Sequence, residues 1–206
     1  MTTSRSAEIF NSKGALHLRG LLPKEVSHHL THFLSLRAAF GFGGDDQMPN
    51  SKGAVGGEIA CEVVLESVWP ILEEAIEQKL LPTYSYARLY GNGDELKKHS
   101  DRPSCEISVT IQLGRSHHYA WPIYMGGHRF DLAEGDGIIY KGCDVLHWRE
   151  PCNGPPKYYS GQVFCHFVRA DGPHVDHAGD KRWPKNEDDQ VVLPFYRNRM
   201  KSMYNK

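Results

Sequence analysis

The chain has 206 residues, with 24 Lys and Arg against 25 Asp and Glu. That length suits one domain with a sizeable core, and the balanced charge provides no global field for nucleic acid or an anionic membrane. The N-terminal stretch has no continuous apolar segment and no run approaches the roughly 20 residues that cross a bilayer, so the expectation is a soluble chain without signal peptide or membrane span. The five cysteines (Cys61, Cys105, Cys143, Cys152 and Cys165) are odd in number and lack CxxC spacing. Reduced thiols and a cytoplasmic setting fit them better than a disulfide framework.

The first elements read as helical. "LLPKEVSHHLTHFLSLRAAF" opens on Pro23 and Glu25 and repeats Val26, Leu30, Phe33 and Leu34 at helical spacing. "GFGGDDQMPNSKGAVGG", residues 41–57, has the Gly, Asp and Pro content of a loop, read either as a lid over a site or as a connector. "EIACEVVLESVWPILEEAIEQKL" is a second helical segment, with Ile59, Val63, Ile71, Leu72 and Ile76 mostly on one side and a break or kink expected at Pro70.

After Pro82 the pattern changes to strands. "TYSYARLYG" alternates, with Tyr84, Tyr86, Arg88 and Tyr90 on one face. "CEISVTIQLG" separates Glu106, Ser108, Thr110 and Gln112 from Ile107, Val109, Ile111 and Leu113. Four more short β-rich runs follow, which suggests a sandwich or jelly roll. If the Ser108–Thr110–Gln112 face points inward, the sandwich holds a ligand in place of a solid apolar core. Residues 1–82 then form helical support with a flexible loop, 83–170 the catalytic jelly roll, and 171–206 a C-terminal arm, all in a single domain. Lys181 to Lys206, with seven basic and three acidic residues, reads as a solvated arm.

Twelve histidines raise the question of ligands. His99 and Asp101 are two apart at a strand start, so they project to one side. His147, 46 positions after Asp101, ends an apolar strand and supplies a second imidazole. Two imidazoles and one carboxylate leave the opposite face of a ferrous ion open. His117, His118 and His128 fit less well. His166 reads as a satisfied core histidine, His174 with Asp176 lies outside any strand pattern, and His28 with His32 reads as a solvated helix face. Lys157, ten positions after His147, can hold the far carboxylate of a chelating dicarboxylate. Tyr90, nine before His99, can offer the same carboxylate a hydroxyl.

With "YARLYGNGDELKKHSDR", "ISVTIQLG", "LAEGDGIIYKG" and "LHWREP…K", residues 84–168 resemble the iron(II)- and 2-oxoglutarate-dependent dioxygenases of the prolyl 4-hydroxylase-like branch. The resemblance implies a double-stranded β-helix, a cupin-like jelly roll in a mainly β (α+β) chain, with N-terminal helices packed on the outer sheet. It implies Fe(II) held by His99, Asp101 and His147, with 2-oxoglutarate and O2 as co-substrates and ascorbate keeping the iron reduced. It also places Tyr90 and Lys157 at 2-oxoglutarate, with Thr110 or Ser108 nearby and Arg169 as a rival to Lys157. The implied reaction is hydroxylation of an unactivated C–H bond of a prolyl residue, another side chain or a small metabolite, with succinate and CO2 released. The stretch between Asp101 and His147 is short for that branch. A non-oxidative cupin-type metal-binding enzyme or sensor would share the ligands but need neither Tyr90 nor Lys157. A plain ligand-binding β-sandwich would need none of them. The oligomeric state has no sequence signature.

Overall fold

The structure, a computed structural model, describes residues 3–180. The basic segment from Lys181 and most of the expected C-terminal arm lie outside the described residues. In chain order the elements are α1 (Arg5–Lys13), β1 (Ala15–Leu18), α2 (Lys24–Ala39), β2 (Lys52–Gly56) and α3 (Ile59–Ile76). The strands then run β3 (Leu80–Gly91), β4 (Leu96–His99), β5 (Ile107–Arg115), β6 (Ile123–Met125) and β7 (His128–Phe130), followed by β8 (Gly137–Lys141), β9 (His147–Arg149) and β10 (Tyr159–Arg169).

Ten strands form two sheets, a six-stranded one in the order β1-β8-β5-β10-β3-β2 and a four-stranded one in the order β4-β9-β6-β7. Every paired strand is antiparallel, as a jelly roll requires. The expected β architecture with helices on the outer sheet is what the chain adopts. One face of the large sheet carries Ile107, Val109, Ile111, Leu113, Val163, Cys165 and Phe167, and packs against Leu34, Leu65, Leu72 and Ile76 of the helices. Full burial of each such side chain contributes about 1.5–3 kcal/mol. The opposite face of the same strands is Ser108, Thr110, Gln112, Ser160 and Gln162, all buried. The apolar half of each strand therefore faces the helices and the polar half faces the interior of the roll.

Three local expectations need correction. Helix α3 continues through Pro70, which lies on its exposed side, so no break occurs there. Its core face is Cys61, Val64, Leu65, Val68, Trp69, Leu72 and Ile76, whereas Ile59, Val63 and Ile71 are exposed. Apolar residues thus lie on both sides of α3, and the sheet takes the side carrying Trp69. The segment 41–57 is only partly a loop, since Lys52–Gly56 pairs with β3. A short helix, α1, also precedes β1, capped by Ser4 at its start and by left-handed Gly14 at its end. No helix of the described residues is long and apolar enough to cross a membrane.

Because Pro70 is solvent-facing inside a regular helix, Pro70→Ala is expected to raise the unfolding free energy by about 1–3 kcal/mol in denaturant titration. An unchanged or lowered stability would show that α3 needs the proline.

Candidate metal centre

Strands β4 and β9 pair so that His99 lies directly opposite His147. Their rings are 4.2 Å apart between centroids. In each imidazole Nδ1 faces a backbone carbonyl, that of Lys97 at 2.7 Å for His99 and of Val145 at 2.9 Å for His147. A carbonyl only accepts, so Nδ1 carries the proton and donates. Each Nε2 is left with its lone pair, and these lone pairs face a common point. The Oδ1 atom of Asp101 completes the group, 3.7 Å from His99 Nε2 and 3.4 Å from His147 Nε2. Ligand atoms of all three side chains lie within 4.8 Å of one another.

Asp101 is itself held in place. Its backbone N–H donates to the Gly142 carbonyl, and Ser108 Oγ donates to its Oδ2 at 3.3 Å. Ser108 also meets His166 Nδ1 at 2.8 Å. Gly142 is close because it has no side chain: a Cβ there would lie 2.7 Å from Asp101 Oδ2 and 2.1 Å from the Cys105 carbonyl. Burial opposes ionisation of Asp101, but the neighbouring His147, with His166 and His99, outweighs it and holds the carboxyl below its ordinary value of 3.8. Burial, then the neighbouring His147, lowers His99 below its ordinary 6.5. A His99 imidazole that resists protonation beside an ionised carboxylate suits a divalent metal.

The three side chains open into a cavity of about 480 Å³. Its walls include Tyr90, Arg88, Tyr86, Phe164 and His166, with Asp45, Asp46 and Gln47 of the segment before β2. The 2-oxoglutarate residues expected from sequence separate here. Tyr90 lines the cavity and is only 1% exposed. Thr110 is buried but donates to Gln162 Oε1 at 3.0 Å, inside a closed network with Gln112 and Ser160. Ser108 supports Asp101. Lys157 is exposed in the turn before β10, with φ at 62°, and faces a different depression. Arg169 pairs with Glu106 at 2.7 Å at the far end of β10. The structure therefore brings neither of the two expected cations to the cavity. The turn of Gly154, Pro155 and Pro156 keeps Lys157 off the strand, and β10 carries Arg169 past the site.

Two arginines stand on the cavity wall: Arg102, which pairs with Asp180 and lies over the Tyr84 ring, and Arg88, 6% exposed, two positions before Tyr90 on the inward face of β3. Its guanidinium lies over the Tyr86, Tyr90 and Phe164 rings, and its Nε has no hydrogen-bond partner among the described residues. The alternation of Tyr84, Tyr86, Arg88 and Tyr90 was the signal that could have found it. His166, read as a core histidine, is buried and hydrogen-bonded but also faces the cavity. The other histidines lie away from it: His28 of α2 pairs with Glu134, His117 and His118 border another hollow, and His174 flanks a 3-10 turn.

No family model matches the sequence, and no curated protein does. The solved structures do. A Pseudomonas putida prolyl-4-hydroxylase superposes with a TM-score of 0.63 at 15% identity, covering 80% of this chain and 97% of that one. A Burkholderia pseudomallei oxidoreductase of the 2OG-Fe(II) oxygenase family gives 0.60 at 12% identity, covering 89% and 98%. This chain has the 2-oxoglutarate oxygenase fold. Streptomyces hygroscopicus HygX, with nickel, 2-oxoglutarate and hygromycin B bound, gives 0.61 at 11% identity, covering 80% and 87%. These solved proteins, with different names, share the fold seen here.

Gly142→Ala is expected to destabilise the protein by about 1–3 kcal/mol and, by displacing Asp101, to weaken nickel binding about tenfold to a hundredfold. Unaltered nickel affinity would mean that Gly142 does not position the carboxylate. In the metal-free protein, histidine NMR should place the His99 midpoint below 6.5. The unfolded chain then binds more protons than the folded one as pH falls through 6.5, so acid weakens the folded state there. A midpoint at or above 6.5 contradicts this.

Proposed function

We propose that this protein is an iron(II)- and 2-oxoglutarate-dependent dioxygenase that hydroxylates an unactivated C–H bond and releases succinate and CO2. The carrying observation is the His99–Asp101–His147 group, two nitrogen donors and one oxygen donor on neighbouring strands beside an open cavity. That donor set suits ferrous iron with free positions for co-substrate and oxygen. When bound, the metal and 2-oxoglutarate supply the oxidising chemistry.

The chain's own residues bind, orient and shield. Lys97 and Val145 carbonyls fix the imidazoles, while Ser108 and Gly142 fix Asp101. Arg88 is the cation we assign to the remote carboxylate of 2-oxoglutarate, with Tyr90 beside it. A single amide side chain, that of Gln47, spans from Arg88 NH2 at 2.9 Å to His99 Nε2 at 3.2 Å. The two groups are thus within reach of one five-carbon dicarboxylate. Leu96, Ile123 and Phe164 line the cavity with apolar surface that limits water around the reacting atoms.

A prolyl residue in a peptide or protein is the first substrate to test. Among the proteins with this fold are a prolyl-4-hydroxylase and HygX with hygromycin B bound, so free amino acids and small metabolites belong in the same succinate-release screen.

In anaerobic titration with ferrous iron, wild type should bind 2-oxoglutarate only when the metal is present, and Asp101→Ala should lose that binding. Metal binding with no response to 2-oxoglutarate would favour a cupin-type sensor. Arg88→Gln should weaken 2-oxoglutarate binding about tenfold to a hundredfold, the loss of a charge-assisted pair. Lys157→Ala and Arg169→Ala should leave it within about twofold, and a larger effect of either would move the anchor away from Arg88.

A further inference from the structure

Three residues before β2 occupy the space between the metal group and Arg88. Gln47 Nε2 lies 3.2 Å from His99 Nε2, the nitrogen whose lone pair faces the candidate metal position. Since that nitrogen carries no proton, the Gln47 amide donates to it. Gln47 Oε1 accepts from Arg88 NH2 at 2.9 Å. Asp45 lies 3.3 Å from Arg88 NH2 and accepts the Tyr86 hydroxyl proton. One carboxylate on Arg88 and one amide at His99 thus fill, from within the chain, the two ends that a metal-bound dicarboxylate needs. Arg88 has no other acidic partner among the described residues.

The backbone around these residues is suited to release. Met48, 3% exposed, is anchored in a cluster with Tyr90, Leu96 and Trp121. On the other side come Gly41 and Gly43, while Gly44 packs against the Met48 carbonyl and Ser51. Gly41 has a left-handed φ of 86°, and a Cβ at Gly41 or Gly43 would meet nothing within 4 Å. Residues 45–47 lie between an anchored methionine and a glycine hinge whose Phe42 and Gly43 carbonyls accept from the Gly53 and Ala54 N–H groups, and their own contacts with the cavity are polar and replaceable.

We infer that Asp45 and Gln47 form an intramolecular competitor for the metal and dicarboxylate site, displaced when nickel or iron and 2-oxoglutarate bind. The inference rests on the dioxygenase reading above and adds to it residues that set co-substrate affinity. The apparent dissociation constant equals the intrinsic one divided by the fraction of molecules in which the clasp is open. A clasp closed nine-tenths of the time therefore weakens binding about tenfold.

The test uses nickel, which holds the site without turnover. Asp45→Asn retains an oxygen for the Met48 N–H that Asp45 Oδ1 accepts at 2.8 Å, so the turn is preserved. It should bind 2-oxoglutarate about tenfold tighter than wild type in the presence of nickel. Gln47→Ala should bind nickel alone more tightly. Chymotryptic cleavage after Phe42, half-exposed beside the hinge, should accelerate when nickel and 2-oxoglutarate are added to wild type and be fast from the start in both variants. Equal or weaker binding in both variants, or cleavage that ligand leaves unchanged, overturns the clasp and leaves the dioxygenase reading standing. If no protein binds 2-oxoglutarate with nickel, the dioxygenase reading falls, and the nickel-alone titration of Gln47→Ala still decides the clasp.

Discussion

The site depends on the pairing of β4 with β9. Cross-strand register places the two imidazoles opposite one another, and a carbonyl two residues before each histidine sets its tautomer. A shift of one residue in either strand would turn its histidine to the other face, because side chains alternate. Much of the architecture holds that register. Met125 of β6 pairs with His147 from the other side, and the Gly142 turn fixes Asp101 against the end of β4.

The polar interior follows from the same logic. A six-stranded sheet with helices on one side can keep its other face wet or hydrogen-bonded. Here it does both: Thr110, Gln162, Gln112 and Ser160 satisfy one another deep in the roll, while Arg88, Tyr86 and His166 face an open cavity. Arg149 shows how costly charge is managed without an acid. It is 2% exposed, donates to the Trp121 carbonyl and lies against the Trp121 and Tyr90 rings. The Tyr90 ring thus has two guanidinium groups near it, that of Arg88 being the other.

Much of this could be read from the sequence, for physical reasons. Alternation in "SVTIQ" shows a strand with one polar face, and the i, i+2 spacing of His99 and Asp101 shows a shared direction. The helix faces were harder, since α3 carries apolar residues all round and only tertiary contact selects the Trp69 side. Arg88 was visible on the inward face of its strand, but spacing from His147 points to Lys157, which the Gly154-Pro155-Pro156 turn places at a different depression. Contacts of Asp45 and Gln47 join residues about 40 to 50 positions apart, from a loop to a strand, and no local pattern encodes such a meeting.

Both edges of the large sheet come from the N-terminal segment, β1 beside β8 and β2 beside β3. The helices and the roll are therefore not a support and a separable catalytic unit. A chain begun at residue 83 would keep β8, β5, β10 and most of β3 but leave two unpaired rows of amide and carbonyl groups. Such rows recruit strands from other molecules, so the shortened protein would self-associate before it could bind anything.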